Sequence, residues 1–296
     1  MKSGVVILYK EAGMTSHSAT RRLSRIFGAD KAGHTGTLDP MAEGILPVLI
    51  GRAVKASEFM LTEDKHYRAT LTLGVSTDTE DSTGNILTEC DSIPSEGEVL
   101  SAISKFVGKI SQTPPMYSAL KVGGKKLCDL ARAGITVERQ ARDVTVYSID
   151  AARIDDRNYS LDVHCSKGTY IRTLCADIGR ALGVGGIMSA LTRTECSGFP
   201  LSSAYKLSEL EGMSEQERNE LIYPVEHIFR NLPKIQLPAF FARLAKSGLE
   251  IYLKKINVTA EPQQKFALYD EGGAFFAVGE VRDFENGRAV KPIRQF

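Results

Sequence analysis

Residues Gly33-His34-Thr35-Gly36-Thr37-Leu38-Asp39-Pro40 place one carboxylate and one imidazole in a glycine-punctuated segment that ends on a proline. Glycine enters backbone regions closed to other residues, and proline biases the residue before it towards extended or turn geometry. A loop built this way can aim the Asp39 side chain in one direction. An aimed, ionised carboxylate serves as a nucleophile or as a base. The same residues also suit an ordinary turn, because Asp-Pro starts turns and Gly-His-Thr-Gly makes a surface connection. The rest of the chain decides between the two.

The elements that must hold this loop are legible from periodicity. Residues 4–9 read as a strand, and Ser16 as the N-cap of a helix to about Phe27, with Ala19, Leu23 and Ile26 on one face. Residues 45–50 form a short apolar strand and 53–61 a helix. Tyr67–Leu73 alternates with period two, as a half-buried strand does. The acidic stretch 76–84 reads as a loop, 85–89 as a returning strand and 95–107 as a helix. Pro114–Lys126 reads as an extended basic segment, followed by a short helix over 125–133. Strands at 143–154 and 159–164 make a hairpin around residues 155–158. Residues 169–182 are helical and closed by Gly183, and 191–194 form another strand. Residues 205–232 read as helical and acidic. Beyond Pro233 a helix and short apolar strands around 265–281 describe a small β-rich unit.

Strands and helices without a regular β-α-β alternation predict an α+β fold with a mixed, mostly antiparallel sheet. The expected division is a catalytic domain over 1–232, carrying an insertion at about 105–142, and a small C-terminal domain over 233–296. The chain has 296 residues, 43% of them hydrophobic and 25% charged, as in ordinary globular proteins. No apolar run approaches the roughly 20 residues that cross a bilayer, and the N-terminus reads as a first strand rather than a signal peptide. A cytoplasmic location is therefore expected. Its five cysteines are odd in number and lack Cys-x-x-Cys spacing, which suggests reduced thiols. The five histidines are scattered without metal-ligand spacing. There is no Walker-type loop and no Gly-x-Gly-x-x-Gly. Chemistry without metal, nucleotide or redox cofactor is the expectation.

The formal net charge is +1, but its distribution is uneven. Residues 105–142 carry eight cations, including Lys121, Lys125, Lys126 and Arg132, against Asp129 and Glu138, a local net of +6. Residues 76–98 carry seven carboxylates and no Lys or Arg. The asymmetry fits one face for phosphates and another for water, or simply a solvated basic face.

Four segments in order narrow the choice. They are Gly33–Pro40 extended to Gly51-Arg52, then Tyr67-Arg68, then Gln112-Thr113-Pro114-Pro115-Met116-Tyr117-Ser118-Ala119-Leu120-Lys121, and finally Cys165-Ser166-Lys167-Gly168-Thr169-Tyr170-Ile171-Arg172-Thr173-Leu174. Together they closely resemble the bacterial tRNA pseudouridine synthases of the TruB family, from about Lys10 to Phe199. The resemblance implies the pseudouridine synthase fold and an isomerase that turns the T-loop uridine of tRNA (position 55) into pseudouridine. That reaction cleaves C1′–N1, turns the base and joins C5 to C1′, with no net redox change and no cofactor.

By the same resemblance Asp39 is the essential carboxylate, acting at C1′ or on the 2′ proton. Arg172 is the arginine that keeps it charged and oriented, and Tyr67 is the aromatic that packs on the target base and is proposed to take the C5 proton. An unperturbed phenol, with a pKa of about 10, is a weak base at neutral pH. Tyr170 and Leu191 line the same pocket. Lys10 supports the loop. His34 occupies the space left by the flipped nucleotide, and the basic insertion with Lys121, Lys125, Lys126 and Arg132 clamps the T-stem-loop. A metal is not implied. The implied partner is tRNA, with no membrane and no obligate protein partner, and a monomer is the default. The last 60 or so residues resemble a reduced PUA-type RNA-binding domain. The pattern departs from the family at Glu11, usually proline, at Glu43, usually a small hydroxyl residue, at Cys128, usually aromatic, and at Thr192, often Arg.

Three other readings compete. An RNA-binding folding factor would need only the docking surface. A guide-RNA-dependent synthase of the dyskerin type would lack much of the basic insertion. A phosphotransferase with Asp39 as nucleophile would need a metal and a second nearby Asp, and no Asp-x-Asp accompanies Asp39.

Overall fold

The computed structural model describes residues 2–60 and 64–296. In chain order β1 (Gly4–Lys10), α1 (Ser16–Ile26), β2 (Ala32–His34) and β3 (Glu43–Ile50) come first. A 3-10 turn at Gly51–Ala56 and α2 (Ser57–Met60) lead to β4 (Lys65–Leu73), the small hairpin of β5 (Val75–Thr77) and β6 (Ile86–Glu89), and α3 (Glu96–Ser104). Next come β7 (Gly108–Gln112), a second hairpin of β8 (Lys121–Val122) and β9 (Lys125–Lys126), and α4 (Leu127–Arg132). The long strands β10 (Arg142–Arg153) and β11 (Asn158–Cys165) precede α5 (Ile171–Ala181), β12 (Gly186–Cys196) and β13 (Phe199–Pro200). The short α6 (Leu207–Gly212) and α7 (Glu215–Glu220) follow.

The larger sheet runs β1-β3-β12-β4-β11-β10-β7, with β2 on β3 and β13 on β12. Its pairings are antiparallel except for the short parallel contact of β12 with β3. The fold is thus α+β with a mixed, mostly antiparallel sheet. Alternation on β4 explains one face of the core. Tyr67, Ala69, Leu71 and Leu73 point inward and meet Leu161 and Val163 of β11 and Leu174 and Ile178 of α5. Each fully buried aliphatic side chain there contributes about 1.5–3 kcal/mol. The amphipathic α1 lays Ala19 and Leu23 on a second cluster with Val6, Leu8 and Leu46.

A second sheet, built from β14 (Lys234–Gln236), β15 (Ile251–Tyr252), β16 (Lys265–Tyr269), β17 (Phe275–Phe284) and β18 (Gly287–Gln295), carries the single helix α8 (Ala239–Lys246). It encloses a cluster of its own around Leu237, Phe266, Leu268 and Val290. A joint of Ala56, Phe229, Ala267, Tyr269 and Val278 packs the two sheets together. Among the described residues no helix is long and apolar enough to cross a membrane.

Several sequence expectations are corrected. The N-cap of α1 is Thr15, whose hydroxyl accepts from the Ser18 N–H, while Ser16 is buried and turned to another task. The helix expected at 53–61 is a 3-10 turn followed by four helical residues, and its last position lies outside the described residues. The segment 205–232 is only two short helices and a 3-10 turn, because backbone bridges from Tyr205 to Leu8 and from Tyr223 to Val5 hold it across β1 as a strap. The strand expected at 191–194 runs from Gly186 to Cys196. Residues 108–112 of the supposed insertion are the edge strand of the sheet, paired with β10. Short β2 had no periodicity to reveal it.

Candidate active site

Asp39 lies in the turn between β2 and β3. Ser16 holds the backbone just before it: its hydroxyl donates to the Leu38 carbonyl at 2.9 Å and accepts from the Leu38 N–H at 2.8 Å. The ammonium of Lys10, at the end of β1, donates to the carbonyls of Ala42 at 2.6 Å, Glu11 at 3.2 Å and Pro40 at 3.3 Å. Lys10 is fully buried. Burial pushes its pKa down to about 8, against the pull of Asp39 and Glu43.

Arg172 stands in the first turn of α5 and is 5% exposed, so it is no surface ion pair. Its Nε donates to Oδ2 of Asp39 at 3.0 Å and its Nη2 to Oδ1 at 3.3 Å, a two-pronged contact that lysine cannot copy. Nη1 reaches Oδ2 of Asp81 at 3.3 Å and the Thr79 carbonyl at 3.2 Å, and Nη2 also donates to the Tyr117 carbonyl at 2.8 Å. Burial raises the Asp39 carboxyl above the ordinary value, and Asp81 adds to this, while Arg172 and then Lys10 oppose it.

Asp81 corrects the reading of the acidic stretch as water-facing. It is buried, and its other oxygen accepts from the Thr79 and Thr83 hydroxyls and the Thr83 N–H. The neighbouring Glu80 has a left-handed backbone, φ 62°, and accepts from the Thr173 hydroxyl at 2.6 Å. Sequence reasoning missed Asp81 because carboxylates in a loop usually face water. The signal available was the clustering of threonines at 77, 79 and 83 around it.

Tyr67 is buried on β4, and burial pushes its phenol up to about 12 against the opposing charge of Arg193. Arg193, also missed, is 1% exposed on β12 and donates to the carbonyls of Ile45 at 2.7 Å and Gly36 at 3.3 Å. Successive register partners join Lys10 to Gly44, Gly44 to Arg193 and Arg193 to Tyr67, so one row crosses four strands under the loop. The row closes only because position 44 is glycine: its φ is +102°, and a Cβ there would meet the Arg193 carbonyl oxygen at 2.3 Å.

His34 ends β2. Burial and the charge of Arg193 lower its pKa, so the imidazole is neutral at pH 7, and its Nδ1 is buried without a hydrogen-bond partner. Tyr170 caps α5; the Gln112 side chain accepts from its N–H at 3.0 Å and donates to its carbonyl at 3.2 Å. Its phenol is raised by burial, with Ser118 and Arg172 opposing. Leu191 is 7% exposed in the apolar cluster that also holds Leu38 and Tyr67. These residues therefore share one neighbourhood. Lys121, Lys125, Lys126 and Arg132 do not join it. They lie exposed on the hairpin of β8 and β9 and on α4, with Lys121 opposite Lys126 and Arg132 paired to Asp129 at 3.7 Å.

Two departures from the family pattern are neighbours. The Thr192 hydroxyl donates to the Glu43 carboxylate at 3.3 Å, across the parallel contact of β12 and β3. Glu11 is held by Lys206 at 3.7 Å. Among the described residues no group of three His, Cys, Asp or Glu could hold a metal ion. A cleft of about 530 Å³ between the two sheets, lined by Phe59, Phe229, Lys265 and Arg282, shares none of the residues above.

The family model "TruB family pseudouridylate synthase (N terminal domain)" matches residues 24–171, and "tRNA pseudouridylate synthase B C-terminal domain" matches 172–230. The tRNA pseudouridine synthase B of Alkaliphilus oremlandii is 41% identical over 295 residues, which is 99% of this chain and 98% of that protein. That of Methylobacillus flagellatus is 40% identical over 277 residues, 94% of this chain and 90% of that protein. Among solved structures, a chain of a Cbf5-Nop10-Gar1 complex is 26% identical with a TM-score of 0.75, covering 99% of this chain and 84% of that one.

Proposed function

The chain belongs to the TruB family of pseudouridylate synthases and isomerises uridine in tRNA, and from that premise we propose that its substrate is the T-loop uridine (position 55), worked on by Asp39 after the nucleotide is flipped from its stack. The observation that carries this reading is the part-buried, two-pronged Arg172–Asp39 contact. The guanidinium opposes the burial that would neutralise the carboxylate and fixes the plane of its two oxygens. Attack on C1′ and removal of the 2′ proton both start from that ionised form. Once C1′–N1 has broken, the uracil must stay in the pocket, turn, and bond through C5. Tyr67 and Leu191 offer it an apolar wall, and Tyr170 stands beside Arg172.

Access requires base flipping, since C1′ and C5 cannot be worked on inside a folded loop. His34, neutral and with one ring nitrogen unsatisfied, is suited to take the vacated place and bond a neighbouring base. The exposed Lys121, Lys125, Lys126 and Arg132 supply phosphate contacts for the stem. Residues 1–232 form the catalytic unit in this reading, and 233–296 a PUA-like unit that adds RNA contact. The test is incubation with an unmodified T-stem-loop RNA in EDTA, followed by carbodiimide mapping. Pseudouridine at the T-loop position is expected. Its absence there overturns the substrate assignment, and activity that needs added metal overturns the cofactor-free chemistry.

A further inference from the structure

Arg193 has no part in the chemistry above, yet it heads the fully buried side chains by volume. Among the described residues no carboxylate forms an ion pair with it, and its acceptors at Ile45 and Gly36 are neutral carbonyls. A buried guanidinium without a counter-ion is expensive and is kept only where its donors are used. Here Nε reaches Ile45 on β3 and Nη2 reaches Gly36 in the loop before Asp39, which leaves Nη1 outside both bonds, and Arg193 is paired in register with Tyr67 on β4. The rigid planar fork of arginine can span three acceptors, whereas one ammonium on a flexible stem cannot hold the same geometry.

We propose that Arg193 is a positioning residue of this site, a single anchor that holds the Tyr67 hydroxyl in register with the Asp39 loop, so that the groups acting at the sugar and at the base meet one nucleotide together. The proposal rests on the reading that uridine is isomerised here. Its geometry is the transverse row: Arg193 is the direct register partner of both Gly44 and Tyr67. Glycines on each side leave room for it. A Cβ at Gly36 would lie 3.6 Å from Nη1, and one at Gly44 would collide with the Arg193 backbone. The charge also acts on its surroundings in the useful direction. It favours the ionised form of Tyr67 against burial and disfavours protonation of His34.

The test uses the full chain and an unmodified T-stem-loop RNA, comparing Arg193→Lys, Tyr67→Phe and the double variant. Arg193→Lys is expected to slow single turnover at saturating RNA about a hundredfold, the size carried by a misplacement of roughly 1 Å. RNA affinity should stay within about twofold, and the double variant should be no more than about twofold slower than the slower single one, because both changes break one unit. A wild-type rate for Arg193→Lys, a loss confined to affinity, or losses that multiply in the double variant would each overturn the proposal.

Where a variant does not fold or is too slow to follow, guanidinium proton exchange decides, measured in the wild type and in Tyr67→Phe. The Arg193 protons should exchange about tenfold faster once the phenol is gone, as expected when a protecting hydrogen bond is removed; an unchanged rate overturns the anchor. That arm does not depend on turnover, so a wild type that makes no pseudouridine refutes the functional reading and leaves the anchor separately measurable.

Discussion

Asp39 is held between two opposing influences, burial that favours its neutral form and the Arg172 fork that favours its charge, with burial the larger. Its acid limb should therefore lie above the ordinary carboxylate range. Lys10 sets the other limb. Only its protonated form can donate to the three carbonyls it holds, and its pKa is about 8. Single-turnover rate should rise as Asp39 ionises, fall as pH passes about 8, and lose that alkaline fall in Lys10→Arg, whose guanidinium does not titrate there. A stopped-time assay across pH checks this; an alkaline limb that is the same in Lys10→Arg assigns it elsewhere. Asp39→Asn should cut the rate by at least about 10²–10⁴-fold with RNA binding retained, measured by quench assays and filter binding. Asp39 and Arg172 were legible because each sits in a distinctive local motif. Asp81 and Arg193 were not, because a carboxylate in an acidic loop and an arginine in a strand look solvated until the chain buries them.

At the scale of elements, strands bring together residues distant in sequence. Lys10, Gly44, Arg193 and Tyr67 come from β1, β3, β12 and β4, and only the pairing of those strands makes them a row. The period-two alternation of β4 foretold that Tyr67 points to the same side as Ala69 and Leu71. It could not tell that β12, rather than β11, supplies its charged neighbour. Gly44→Ala should destabilise the fold by about 1–3 kcal/mol, since it combines a strained φ with a backbone collision. Chemical denaturation measures the effect, and an unchanged midpoint would show that β12 can shift without cost. The misread N-cap of α1 has a similar origin. Thr15 caps the helix, which frees the Ser16 hydroxyl to tie α1 to Leu38, a contact 22 residues away in sequence.

For the whole molecule, a net charge of +1 conceals a division of labour. The cations of the hairpin and α4 stay exposed, while Arg172 and Arg193 are buried. The two regions are joined where Arg172 donates to the Tyr117 carbonyl, so a clamp that moves on RNA would pull on the residue that orients Asp39. Replacing Lys121, Lys125 and Lys126 with Glu should weaken RNA binding and flatten its dependence on salt by about 0.7–0.9 in log–log slope for each phosphate no longer neutralised. The rate at saturating RNA should hold. Affinity titrations at several salt concentrations, with a rate at saturation, test both; an unchanged slope would place the phosphate-binding cations elsewhere. The basic composition of 105–142 was visible at once, but not that its first strand, β7, completes the sheet, because five residues with exposed alternate positions carry little periodic signal.

By itself the sequence determined the family, the α+β class, the carboxylate loop and the arginine that meets it, because these are written in contiguous motifs and in periods of two and 3.6 residues. Tertiary structure alone decided that Asp81 braces Arg172, that Arg193 ties Ile45 to the loop at Gly36, and that Glu43 meets Thr192. Each of those pairings joins segments far apart in the chain, and their energy depends on burial. A local pattern cannot encode burial, because it arises only when separate strands exclude water together.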